Sequence, residues 1–350
     1  MENKPYIVAG PCSVESRGQL KSVVEALCRF PQVEMVRCGV WKPRTHPGGF
    51  EGLGEKALTW MEELKDEYPE VRFCCEVARP DHVELALRHG VDAIWIGART
   101  TANPFMVQEI TEALRGSSVS MMVKNAPSPD VDLWIGAIER CRKVGIIDIK
   151  AIHRGFELFR NSGYRNTPLW EVPIELRRRM PEIPILCDPS HIAGRREGIG
   201  ELSQSALDLG FDGLMVEVHP APDEALTDAR QQVTPAALEA ILSRLVIRQS
   251  DSPSSDMQLS LLRGQIDNID RQLLHLLMER FDVVRQIADV KKQSNMALFQ
   301  PKRWDSLLQG HLAAGAELGL SEAFVRGIFE KIHTESIRVQ REQQGGESTT

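Results

Sequence analysis

Several features are missing from this 350-residue chain, and each absence narrows its class. No apolar run approaches the ~18 residues that a membrane-spanning helix needs, so no membrane association is expected. The opening Met1-Glu2-Asn3-Lys4-Pro5 leads directly into a strand-like run and has no signal-peptide pattern. Basic residues are not in excess: 42 Lys and Arg stand against 49 Asp and Glu, a net charge of −7, which argues against nucleic acid as a partner. The seven cysteines (12, 28, 38, 74, 75, 141 and 187) are odd in number and show no paired-ligand spacing. They read as reduced thiols in a cytoplasmic protein, any functional one acting singly. With 42% hydrophobic and 26% charged residues, the chain is expected to form a soluble globular protein of two domains.

The two parts differ in pattern. From Met257 to Thr350 there are 12 basic and 12 acidic residues, no cysteine, and a purely helical periodicity. The preceding 256 residues hold 30 basic and 37 acidic residues and every cysteine. The stretch from Arg248 to Asp256 has linker chemistry. We expect domains at 1–247 and 257–342, a linker at 248–256, and a disordered tail at 343–350.

The first part contains eight apolar, strand-like runs: Tyr6–Ala9, Glu34–Cys38, Arg72–Val77, Ala93–Gly97, Ser120–Lys124, Ile146–Ile152, Ile183–Cys187 and Gly213–Val218. A helical segment follows each. Eight βα units in about 250 residues match a TIM (β/α)8 barrel. A doubly wound open sheet shares this alternation, but no Gly-x-Gly-x-x-Gly fingerprint follows the first strand.

In a barrel, chemistry belongs just beyond the strand C-termini. Those positions carry Cys12, Arg37, Lys42, Arg44, Glu76, Arg99, Lys124, Arg154, Asp188, His191 and Glu217. Six cations gathered at one mouth of an acidic protein suit a substrate bearing phosphates and a carboxylate. Cys12, His191, Glu217 and one acid of the last loop (Asp223, Asp228 or Asp188) offer a thiolate, imidazole and carboxylate set. That set suits Mn, Fe, Co or Zn better than Mg or Ca.

Seven motifs occur in order at successive strand ends: Gly10-Pro-Cys-Ser-Val-Glu15, Lys42-Pro-Arg-Thr45, Gly97-Ala-Arg-Thr100, Val123-Lys-Asn125, His153-Arg-Gly155, Asp188-Pro-Ser-His191 and Glu217-Val-His-Pro220. Together they resemble 3-deoxy-D-arabino-heptulosonate 7-phosphate (DAHP) synthase of the compact type Iβ, over residues 5 to 246. The resemblance implies a metal-dependent barrel that condenses phosphoenolpyruvate with erythrose 4-phosphate at the entry to the shikimate pathway. It implies one divalent metal per barrel, Mn foremost, on Cys12, His191, Glu217 and Asp228. It places Arg99 and Arg154 on the phosphoenolpyruvate phosphate, Arg37 and Lys124 at its carboxylate, and Lys42, Pro43, Arg44 and Thr45 around the aldose phosphate. Lys42 would protonate the developing alkoxide, and Glu76 with Lys124 would position water. The alternative is 3-deoxy-D-manno-octulosonate 8-phosphate synthase, whose aldehyde pocket has Lys-Ala-Asn-Arg where this chain has Lys42-Pro-Arg-Thr45.

From Met257 to Val290 apolar residues recur at three- and four-residue spacing, which predicts a long striped helix, with shorter helices at 301–314 and 321–342. Such a helix buries its stripe most simply against a second chain. Leu262-Arg263, Ile266-x-x-Ile-Asp270, Glu279-Arg280, Lys291 and Glu335-Ser336 with Gln340 resemble chorismate mutase of the all-helical AroQ class. That resemblance implies an intertwined homodimer in which Arg263 comes from the partner. Arg280 and Arg303 would bind carboxylates, Lys291 and Gln340 would donate to the ether oxygen, and Ser336 would line the pocket. Gln300 and Trp304 stand where the family often has an acidic pair around the substrate hydroxyl. The domain would convert chorismate to prephenate and mediate feedback on the barrel by either metabolite. A non-catalytic sensor or dimeriser is the alternative.

Overall fold

The computed structural model describes residues 4–42, 48–158, 163–248, 256–343 and 345, with side chains of 256–261 left out. The chain divides into two compact units, 1–250 and 251–350. The expected linker core and most of the expected tail lie outside the described residues.

The first unit is a closed barrel. Its strands are β1 Tyr6–Gly10, β2 Val33–Cys38, β3 Phe73–Val77, β4 Ala93–Ile96, β5 Ser120–Lys124, β6 Ile149–His153, β7 Ile185–Cys187 and β8 Gly213–Glu217. Each pairs in parallel with the next, and β8 pairs with β1. That last pairing excludes the open sheet. The helices are α1 Arg17–Leu27, α2 Glu55–Glu67, α3 Pro80–Arg88, α4 Ala98–Thr101, α5 Pro104–Ala113, α6 Val131–Lys143, α7 Glu171–Arg179, α8 Pro189–Ala193, α9 Ile199–Asp208 and α10 Pro235–Arg244. Two of them, α4 and α8, are short helices at the mouth that the apolar pattern does not predict. The sixth strand begins three residues later than its apolar run, because Ile147 is 98% exposed in the turn before it.

Side chains alternate along each strand. One set, including Val8, Met35, Cys74, Ala93, Trp95, Met122, Ile152, Leu186 and Met215, fills the barrel interior, with Tyr6 packed against it. The other set faces the helices in a larger core. His153 belongs to that outer layer and sits among Trp134, Phe156, Trp170 and Phe211 at centroid distances of 5.3–6.4 Å.

The second unit consists of α11 Asp256–Gln293, α12 Pro301–Glu317 and α13 Glu322–Gln343. Val284 and Ala288 of α11, Leu308 of α12, and Val325 and Val339 of α13 are buried. Among the described residues, no helix is long and apolar enough to cross a membrane.

Burial pushes the His153 pKa down to about 3, from an ordinary value of about 6.5. The folded state therefore keeps His153 neutral while the unfolded chain takes up a proton below about pH 6.5. Stability from this site is complete above that pH and falls as pH drops toward 3, by roughly 1.4 kcal/mol per pH unit inside the window. Chemical denaturation between pH 6.5 and 4.5 should show a shallower loss for His153→Phe than for the wild type. Equal slopes would remove His153 from the acid sensitivity.

Candidate functional site

The alternation that fills the barrel also builds its mouth. Two residues beyond the interior Met35 stands Arg37; beyond Cys74, Glu76; beyond Met122, Lys124; beyond Ile152, Arg154; beyond Leu186, Asp188; beyond Met215, Glu217. Cys12 follows Gly10, the last residue of β1. A cavity of about 490 Å³ opens there, lined in part by Lys42, Glu76, Arg99, Lys124, Arg154, Arg165, His191 and Asp228.

Cys12, Glu217 and Asp228 place one ligand atom each within 4.8 Å of one another. Cys12 Sγ lies 3.4 Å from Asp228 Oδ2. His191 adjoins this group, its Nε2 3.8 Å from Glu217 Oε1, while its Nδ1 faces Asp188 Oδ2 at 2.8 Å. Burial lowers the His191 pKa despite the Asp188 carboxylate beside it, so the imidazole is neutral with Nε2 turned to the cluster. A carboxylate behind a ligating histidine is the usual second partner of such a ring. Burial pushes the Cys12 thiol up to about 12. A buried sulfur, a neutral imidazole and two carboxylates form a donor set that fits a divalent transition metal. Asp223 is turned away, 2.6 Å from Arg196, and Asp188 is occupied by Lys124 and His191.

The cations divide into two groups. Arg37 is 1% exposed and does not line the cavity; its Nη2 lies 3.1 Å from Glu217 Oε1. Burial opposes its charge, but Glu217 and Asp188 outweigh that and raise its pKa. Lys42, Arg99, Lys124 and Arg154 reach the cavity wall. Lys42 Nζ donates to Cys12 O at 3.0 Å and to Cys12 Sγ at 3.1 Å. Its burial disfavours the charge, yet Cys12, Glu76 and Glu217 outweigh that, and its pKa rises. Lys124 Nζ donates to Asp188 Oδ2 at 2.7 Å. Pro43, Arg44 and Thr45 lie outside the described residues.

Several supporting residues escape a reading by strand ends. Trp95 lies beneath both cations, 5.2 Å from Arg37 and 5.9 Å from Lys124, and its Nε1 donates to Glu76 Oε2 at 3.1 Å. A Cβ at Gly97 would meet Glu76 Oε1 at 2.1 Å, so glycine there keeps room for this carboxylate. Asn166 accepts from Arg154 Nη1 at 2.8 Å, and Asn125 accepts from the Arg154 N–H at 2.8 Å. Gln232 accepts from the Cys12 N–H at 3.0 Å and donates to Thr227 O at 2.8 Å. For α8 a local signal does exist: Asp188 accepts from the His191 N–H as N-cap, and Pro189 occupies the first turn.

In the helical unit, Arg280 Nη1 donates to Ser336 Oγ at 2.7 Å, and Lys291 Nζ to Gln340 Oε1 at 3.0 Å. Burial lowers the pKa of both cations. The Gln340 amide group donates to Ser336 O at 3.2 Å, so in this arrangement Gln340 orients Lys291. The hydrogen bonds of this cluster, among the described residues, do not include Arg263, Gln300 or Arg303. Trp304 stacks on His333 at 4.0 Å. His333 lies one helical turn before Ser336, and Arg280 and Lys291 reinforce the burial that lowers its pKa.

Comparison with known proteins agrees with this geometry. Residues 1–250 match the DAHP synthetase I family, and residues 262–341 match chorismate mutase type II. A phospho-2-dehydro-3-deoxyheptonate aldolase of Thermotoga maritima is 33% identical over 228 residues, 65% of this chain. The match spans 64% of that relative, under two thirds of its length. A 2-dehydro-3-deoxyphosphooctonate aldolase of Desulfotalea psychrophila is 25% identical over 258 residues, 69% of this chain and 88% of the relative. The crystal structure of a Thermotoga maritima DAHP synthase superposes with a TM-score of 0.61 at 30% identity, covering 69% of this chain and 68% of that one. The chain thus belongs to the DAHP synthetase I family and carries a chorismate mutase type II domain after its barrel.

Proposed function

We propose that the barrel joins phosphoenolpyruvate to erythrose 4-phosphate, giving DAHP and phosphate. The observation that carries this reading is one cavity with five Lys and Arg side chains on its wall beside a Cys12, Glu217 and Asp228 cluster. The higher identity to the heptonate aldolase than to the octonate aldolase supports the four-carbon aldose phosphate. Arg99 and Arg154 hold the phosphoenolpyruvate phosphate, and Lys124 meets its carboxylate. Arg37 acts from beneath, holding Glu217 ionised. Pro43, Arg44 and Thr45 are assigned to the aldose phosphate from the sequence resemblance. The two substrates are thereby held for attack of C3 of phosphoenolpyruvate on the aldehyde carbon. Lys42, kept as an ammonium, donates its proton to the aldehyde oxygen as the carbon–carbon bond forms. Glu76 and Lys124 orient the water that adds at C2, and the carbon–oxygen bond to phosphate then breaks.

Cys12, His191, Glu217 and Asp228 would hold one divalent metal, for which we favour Mn. When bound, it supplies Lewis acidity toward the aldehyde oxygen. The expected result for Cys12→Ala is joint loss of bound metal, measured by elemental analysis, and of phosphate release from the two substrates. Full activity of that variant in chelator would sink the metal assignment.

We infer further that the helical unit rearranges chorismate to prephenate as a homodimer. Along α11, Leu262, Ile266, Ile269, Leu273, Leu276, Val283, Ile287 and Val290 continue one heptad stripe, and each is at least 43% exposed. Arg280 falls on the same stripe. A second copy covering it would bring its Arg263 to the pocket of Arg280, Lys291, Arg303 and Ser336. Gln300 faces the substrate hydroxyl in this reading. The reaction needs no nucleophile: the cations select the dicarboxylate conformer, and Lys291 stabilises charge on the ether oxygen. Lys291→Ala should lower chorismate consumption by roughly 100-fold or more. Mixed and refolded together, Arg263→Ala and Lys291→Ala chains should recover about a quarter of wild-type activity, because half the dimers then contain one intact pocket. No recovery would place Arg263 in its own chain's pocket, and full activity of Arg263→Ala alone would place it outside the pocket.

The union of both units in one chain supports feedback: prephenate or chorismate on the helical unit would adjust the barrel. Prephenate titrated into the phosphate-release assay should change the rate, and a flat response at saturation would leave the helical unit without this role. To the extent that prephenate changes phosphoenolpyruvate affinity, linkage requires phosphoenolpyruvate to change prephenate affinity by the same factor. These biosynthetic reactions, together with the cysteine pattern, support a cytoplasmic location.

A further inference from the structure

Behind the proposed metal ligands, one buried amide touches one carboxylate directly and reaches the other through an arginine. Gln231 is 1% exposed and follows Asp228 by three residues. Its Nε2 donates to Glu217 Oε2 at 2.7 Å. Its Oε1 accepts from Arg165 Nη1 at 2.6 Å, and the same Arg165 nitrogen donates to Asp228 Oδ1 at 3.0 Å. This amide has only one satisfactory orientation, since turning it over would face its carbonyl to a carboxylate and its NH2 to a guanidinium. The result is a relay that takes one oxygen from each carboxylate. Glu217 is left with Oε1, which accepts no hydrogen bond and faces His191 Nε2 and Arg37. Asp228 is left with Oδ2, which faces Cys12 Sγ.

Building on the metal reading above, we propose that the Gln231–Arg165 relay sets metal selectivity by restricting Glu217 and Asp228 to one ligand oxygen each. Calcium takes six to eight oxygens and gains from bidentate carboxylates. A site limited to one sulfur, one nitrogen and two single oxygens has few donors and favours a transition metal. The relay thus acts through other residues, and Gln231 and Arg165 are positioning residues toward the metal. Gln232 completes the support by tying the Cys12 backbone to Thr227, the neighbour of Asp228.

The test is a pair of binding titrations, Mn2+ and Ca2+, on purified metal-stripped full-length protein, read by electron paramagnetic resonance of free Mn2+ and by competition with a calcium-sensitive dye. Gln231→Leu removes the amide at similar volume. Arg165→Met, at the half-exposed end of the relay, reaches the same two carboxylates should the buried variant fail to fold. Both variants should weaken Mn2+ by roughly 10-fold to 100-fold. Ca2+ affinity should hold or strengthen, so the Mn2+ preference shrinks. Co2+ loaded into the variants should keep its thiolate-to-metal charge-transfer band but shift the ligand-field bands toward higher coordination. An unchanged Mn2+-to-Ca2+ ratio in the folded variants overturns the relay, including the case where both affinities fall together. Wild-type protein that binds neither ion overturns the metal reading itself, which separates the two failures.

Discussion

Closure of the parallel barrel is the constraint on which the rest depends. Once β8 pairs with β1, every strand has two covered faces, and the alternation of side chains leaves no choice about which residues point to the axis. The interior can take only apolar groups below, here Val8, Met35, Cys74, Trp95, Met122, Ile152, Leu186 and Met215. The next residues in the same phase arrive together at the mouth. A one-residue slip in any strand would exchange a catalytic candidate for an outward-facing neighbour.

Charges so close to the core need partners, because removing an ion from water costs several kcal/mol unless it is compensated. The structure pairs Arg37 with Glu217 and Lys124 with Asp188 at the base of the cavity. Lys42, Arg99 and Arg154 also line the cavity, Lys42 donating to Cys12 and Arg154 to Asn166. The buried pairs hold Glu217 and Asp188 in place, and the cations on the cavity wall give the pocket a positive lining. The helical unit repeats the principle on a smaller scale, where Ser336 and Gln340 hold Arg280 and Lys291 in place.

The eight strands were legible as apolar runs, and their charged ends marked the mouth before any coordinates. Ile146 and Ile147 extend the apolar run of the sixth strand, yet the strand itself begins only at Ile149. Arg37 looked like a wall residue because its charge is visible in the sequence while its depth is not. The residues missed were those whose task is to hold others. Trp95 reads as barrel filling, and Asn166, Gln231 and Gln232 carry no charge or motif that separates them from loop surface. Their roles arise from contacts such as Gln232 with Cys12, 220 positions apart. In the helical unit, the resemblance to the all-helical mutases named Arg280, Lys291, Ser336 and Gln340, which the structure brings together. Periodicity carried no information on the stack of Trp304 with His333.

The packed barrel axis has one more consequence. Tyr6 caps its N-terminal end with Lys150 over the ring at 5.0 Å, and the interior layer above is fully buried. Among the described residues, the axis is closed at that end, and the cavity opens at the other. Lys124 and Arg154 on the cavity wall are 4% and 8% exposed, whereas Arg99 on the same wall is exposed. A guest seated deep must enter before one seated shallow, and it cannot leave past it.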